Sequence, residues 1–151
     1  MSMFMRAGAL ALLAASVAAG PAFAKANADD AKALSEKAAA FIKQVGEEKA
    51  FDTFTKGEDG FKKEELYVFC YAPDGTNLAH GANAAFVGKN LLHVKDPDGK
   101  EANAEIIKTG MGAGQGWVDF KWPNPTTKKI EEKSAYVIKT NNEVCGVGYY
   151  K

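Results

Sequence analysis

The chain has 151 residues, 46% of them hydrophobic and 25% charged, with 19 basic side chains against 19 acidic ones. That is the composition of an ordinary globular protein, and a formal net charge of zero supplies no field to gather nucleic acid or an anionic membrane surface. Two cysteines and two histidines cannot furnish a four-ligand zinc site without carboxylates, and no Cys-x-x-Cys-His haem attachment occurs, so the sequence points to no metal and no cofactor.

Residues 1–24 read as a cleaved secretory signal peptide. Arg6 is the basic residue of a short leading region, Ala7 to Gly20 form an apolar run, and Ala22-Phe23-Ala24 is a small-x-small processing site ahead of Lys25. The run is broken by Gly20-Pro21 and is shorter than the ~20 residues that span a bilayer. Residues 25–151 are then expected as one domain, in the periplasm or secreted, with no later stretch apolar enough to cross a membrane.

In chain order, Asn27 to Asp30 offer capping oxygens to a helix whose Leu34, Ala38, Phe41, Ile42 and Val45 recur at helical spacing. Gly46 kinks or ends it, and Glu47 to Thr55 suit a second short helix burying Phe51 and Phe54. From Leu66 the period changes to two. Leu66 to Tyr71 is rich in strand formers on both faces, as in a strand covered on each side. Pro73-Asp74-Gly75 turns the chain into a returning strand, Thr76 to His80, and Gly81 to Asn90 reads as a loop with Phe86 and Val87 packed inward.

After a turn at Asp96 to Gly99, Lys100 to Lys108 suits a short helix, and Gly110, Gly112, Gly114 and Gly116 suggest a flexible connection. Those glycines lead into a strand, Trp117 to Trp122, and not into the helix a phosphate loop requires. Ser134 to Lys139 and Val144 to Tyr150 are the last strands. Helices followed by about five strands with hairpin-sized gaps predict an α+β domain with an antiparallel sheet.

The ordered strings Leu66-Tyr67-Val68-Phe69, Leu78-Ala79-His80, Val87-Gly88-Lys89-Asn90-Leu91, Lys95 to Lys100, Gly116-Trp117-Val118, Trp122-Pro123-Asn124-Pro125, Lys133 to Val137 and Gly146 to Tyr150 resemble a single Cache domain along nearly the whole of residues 25–151. The resemblance implies N-terminal helices packed on a five-stranded PAS-like antiparallel sheet, and an extracytoplasmic sensor of small molecules such as short organic acids. The chain ends at Lys151 directly after the last strand, which suggests a free-standing binding domain acting through a partner, such as a membrane sensor or a transporter.

A two- to four-carbon carboxylate needs charge-assisted donors and walls that exclude water. Lys133 matches the lysine of the family's strand motif and is the first candidate for the cation; taken alone it reads as a solvated strand-end lysine. His80 is a candidate imidazole donor, or a histidine satisfied by backbone. Trp122 and Trp117 lie five positions apart and so face opposite sides of a regular strand, with Trp122 the candidate wall. Tyr67 and Phe69 share a strand face with Tyr71 and are further wall candidates, while Tyr71 reads as core. Tyr136 brings a hydroxyl that a ligand oxygen or a backbone carbonyl would satisfy. His93 reads as surface, and Asp96, Asp98 and Glu101 as a turn and helix start with no calcium ladder.

PAS-like sheets set the first and last strands side by side, which brings Cys70 and Cys145 together, either as a disulfide or as buried thiols on different rungs. An enzyme would need Ser134, His80 and Asp119 in one place, and no nucleophile-elbow motif supports that reading. The remaining alternative is a structural or interaction module whose pocket is closed by its own side chains.

Overall fold

The computed structural model describes Ala24–Lys151, so the signal-peptide expectation falls, apart from Ala24, outside the described residues. Helix α1 spans Ala28–Val45. It opens with a reciprocal cap, in which Asn27 Oδ1 accepts from the Asp30 N–H at 3.1 Å and the Asn27 N–H donates to Asp30 Oδ2 at 3.0 Å. Gly46, at φ 87°, ends α1 and starts α2, Glu47–Lys56. The left-handed φ is cheap only for glycine and makes the corner between the two helices.

The strands are β1 (Lys62–Lys63), β2 (Leu66–Tyr71), β3 (Asn77–His80), β4 (Gln115–Pro123), β5 (Ile130–Thr140) and β6 (Glu143–Tyr150), with α3 at Ala102–Ala113 between β3 and β4. All pairings are antiparallel. β2 pairs with both β3 and β6, and β5 and β4 follow beyond β6, so the first long strand and the last lie side by side as expected.

The sheet is covered on both faces. Leu66, Val68 and Cys70 of β2 point to α1 and α2 and pack with Phe54, Phe61, Cys145 and Val147. Tyr67, Phe69 and Tyr71 point the other way, toward α3, and pack with Ile106, Phe120, Ala135 and Val137. Period-two alternation with apolar residues at both parities gives one dry layer on each side. On the α1 side, Cys70 and Cys145 face each other across β2 and β6 with Cα atoms 4.1 Å apart and are joined by a disulfide.

Two expectations are corrected here. The helix before β4 does not stop at Lys108, because Gly110 and Gly112 are helical and only Gly114, at φ 85°, ends it. Gly110 serves close packing: a Cβ there would come within 2.5 Å of Val144. Val87 is 41% exposed and does not pack inward, whereas Phe86, on a 3₁₀ turn at Ala84–Phe86, does.

Candidate functional site

Lys133 sits in the first half of β5 and points to the α3 face, with Ala135 and Val137 beyond it on that side. Its side chain is 1% exposed, so the reading of a solvated strand-end lysine is overturned. Room for the long stem comes from β6, where Gly148 stands opposite Ala135; a Cβ on Gly148 would lie 2.3 Å from Lys133 Cε. The amine ends among aromatic rings: Nζ is 4.1 Å from the Tyr67 centroid, 4.9 Å from Tyr150 and 5.6 Å from Phe69. It donates to the Tyr67 hydroxyl at 2.9 Å. Among the described residues no carboxylate pairs with it. Burial alone pushes the amine down to about 7.

His80 ends β3 beside this amine. Its Nδ1 accepts from the N–H groups of Asn83 at 3.0 Å and Ala82 at 3.3 Å, and so carries no proton. Burial first, then the charges of Lys133 and Lys62, push the ring down to about 3, so it is a neutral imidazole with its proton on Nε2. Backbone satisfaction and donor capacity, weighed as alternatives from sequence, coexist on the two nitrogens. Nε2 has no hydrogen-bond partner among the described residues.

Lys133, His80, Tyr67, Phe69 and Trp122 border one small cavity of about 10 Å³, which is room for about one water. Tyr71, Asn103, Ile106 and Phe120 complete its walls. Of these, Tyr71 had read as plain core, and Asn103 and Ile106 belong to a helix that periodicity finds without saying which face meets the sheet. The legible signal was the Gly-x-Gly of β6, since Gly146 and Gly148 leave hollows for Phe69 and Lys133.

The expectation that Tyr136 joins this cavity is corrected. One residue parity separates it from Ala135 and Val137, and it lies on the α1 face, with its ring 5.1 Å from Trp117 and its carbonyl accepting from Ser35 Oγ at 2.8 Å. Trp117 packs there too, half exposed, opposite in face to Trp122 as expected. Ser134 shares that parity and neighbours Asp119, while His80 lies on the other face of the sheet, so these three residues are not brought together.

Behind the lining residues, the 81–92 segment packs against two of the cavity's walls through Phe86. Phe86 stands edge-on to His80, with ring centroids 5.0 Å apart, and 6.3 Å from Trp122. The segment is pinned beyond Phe86, where the Leu91 N–H donates to the Gly75 carbonyl at 2.9 Å and Asn103 Nδ2 donates to the Leu91 carbonyl at 3.0 Å. A larger groove of about 830 Å³ runs between the start of α1, β1 and the β4–β5 turn, but none of the candidate residues lines it.

The site thus lies in an antiparallel sheet with α1 and α2 on one face and α3, with a small polar-and-aromatic cavity, on the other. The pattern of the family Single Cache domain 2 matches residues 24–150, and the chain belongs to that family. It is 36% identical over 96 residues to the sensor histidine kinase MctS of Rhizobium johnstonii, a match covering 62% of this chain and 19% of that protein. The chain thus spans about a fifth of the length of this curated relative.

Its fold is similar to that of a methyl-accepting chemotaxis protein from Vibrio parahaemolyticus (TM-score 0.70, 24% identity, 81% of this chain and 86% of that one). It is also similar to a Cache chemosensory domain described for carboxylic acid recognition (TM-score 0.71, 18% identity, 81% and 91%). No helix among the described residues is long and apolar enough to cross a membrane.

Proposed function

We propose that residues 25–151 form an exported binding domain for a two- to four-carbon carboxylate, acting through a partner such as a membrane sensor or a transporter. The observation that carries the reading is the buried, unpaired amine of Lys133. A buried cation without a counter-ion costs several kcal/mol, and a bound anion is what would offset that cost. His80 Nε2–H adds a neutral donor, Tyr67 a hydroxyl, and Trp122 and Phe69 walls that exclude water.

The cavity of about 10 Å³ is smaller than any such acid, so binding requires its walls to yield, and the packing of Phe86 on His80 and Trp122 makes the 81–92 segment the element that would move. The same small volume favours the second reading, a structural or interaction module with a closed pocket.

A thermal-shift panel of acetate, propionate, lactate, pyruvate and succinate, with amino acids and sugars as controls, separates the two. At one hundred times its dissociation constant, a ligand of the folded state adds about 2.7 kcal/mol, or a shift of about 5 to 15 °C for a domain of this size. Lys133→Met, which fills the stem's space without a charge, removes the response. If no acid moves the wild-type transition, the carboxylate reading falls and the closed-pocket reading stands.

A further inference from the structure

Lys133 has an unusual set of neighbours for a binding cation. β2 presents the hydroxyls of Tyr67 and Tyr71, β3 the neutral ring of His80, and β6 Tyr150, while β4 and α3 present the uncharged Phe120, Trp122, Asn103 and Ile106. Burial holds Tyr67, Tyr71 and Tyr150 protonated well above the ordinary phenol range. With His80 held neutral, among the described residues no acidic side chain faces the amine and no other group in the cavity changes charge near neutral pH. An ammonium there would be a net positive charge in a cavity with room for about one water.

The Tyr67 oxygen and the surrounding ring faces soften that cost, which leaves the amine poised near neutrality. Resting on the carboxylate reading above, we infer that Lys133 is a neutral amine in the empty cavity and that the site takes up a monocarboxylate together with one proton.

The step balances without a co-reactant. A carboxylate anion and a proton from solvent enter, the lone pair of the Lys133 nitrogen accepts the proton, and an ammonium–carboxylate pair replaces a neutral amine. Entry of the neutral acid, followed by transfer of its proton to the amine, is the same reaction. In both cases the buried site gains no net charge. A second carboxylate on the ligand would break that neutrality, since no second cation lies in the cavity, so succinate is the poor member of the panel and acetate, propionate, lactate and pyruvate are the good ones.

Two measurements test this on the processed chain. The first uses NMR of lysine labelled at Cε and Nζ in the ligand-free protein, with the Lys133 signal assigned by its loss in Lys133→Met; that signal is expected to titrate near pH 7, far below the ordinary lysine value of 10.5. The second is calorimetry with each of the five acids in buffers of different ionisation enthalpy. At pH 8 about 0.9 proton should be taken up per acid bound, and above pH 8 affinity should fall about tenfold per pH unit. Binding without proton uptake at pH 8, or a Lys133 that titrates near 10.5, overturns this inference and leaves the carboxylate reading in place. Failure of all five acids to bind overturns both.

Discussion

The two faces of the sheet are built from the same strands and do opposite things with them. On the α1 side, Val68, Cys70, Cys145 and Val147 meet Phe54 and Phe61 in an apolar layer closed by a disulfide. On the α3 side, the alternate residues of those strands bring hydroxyls, an imidazole and an amine into a layer that is nearly as tightly filled. Both faces are buried, so burial does not distinguish them. The α1 face has apolar groups whose removal from water stabilises the fold, whereas the α3 face keeps at its centre a group whose ordinary charged form is destabilising there. A ligand is what would make the second face resemble the first in completeness.

Lys133→Met should sharpen that contrast most. The native amine, near 7, lies below its unfolded value of 10.5, so the burial penalty is fully present below pH 7 and fades as pH rises toward 10.5. The variant should therefore be more stable than wild type at pH 6, by up to about 5 kcal/mol, and lose that advantage by pH 10. Denaturant melts of the two proteins at pH 6, 8 and 10 check this; a variant less stable than wild type at pH 6 would show that the lysine contributes to the empty fold.

The disulfide tests the other face. It closes a 75-residue separation, and replacing both Cys70 and Cys145 by Ala should cost roughly 4 kcal/mol in the chain-entropy account. Ligand-induced shifts should survive wherever the variant remains folded, because the cysteines lie behind the sheet. Two free thiols titrated in denaturant without reductant would contradict the bridge.

Gly148→Ala acts between the faces. Its Cβ would overlap Lys133 Cε at 2.3 Å in a space with little slack, for an overpacking cost of about 1 to 3 kcal/mol. The amine would be displaced, so affinity for the best acid in the panel should fall at least tenfold. Unchanged affinity would mean that the position of Lys133 is not set by the hollow in β6.

Smallest of all is Tyr136→Phe. The hydroxyl lies on the α1 face, so ligand affinity should not change, and a loss of binding by calorimetry would place that residue's role elsewhere than the packing against Trp117 indicates.

Much of this was legible in the chain. The period-two string Leu66 to Tyr71 marks β2 to the residue, and its parity separates Tyr67 and Phe69 from Val68 and Cys70. Asn27 and Gly46 marked the ends of α1 for reasons of capping and left-handed φ. Tyr136 was misplaced because it was grouped with Lys133 by motif, although an odd separation along one strand puts two side chains on opposite faces. The glycines at 110 and 112 misled because glycine's helix penalty is small, and at Gly110 close packing against Val144 outweighs it. The burial of Lys133 was not legible from its neighbours Lys128, Lys129, Glu131 and Glu132, which read as a solvated run; it depends on the Gly148 hollow one strand away.

The most direct test is a structure of residues 25–151 with the acid of the panel that stabilises them most. The account predicts a carboxylate within hydrogen-bonding distance of Lys133 Nζ and His80 Nε2, with Phe86 moved outward and the cavity enlarged around the acid. A carboxylate bound in the groove between α1 and β1, with Lys133 still enclosed and Phe86 unmoved, would contradict it.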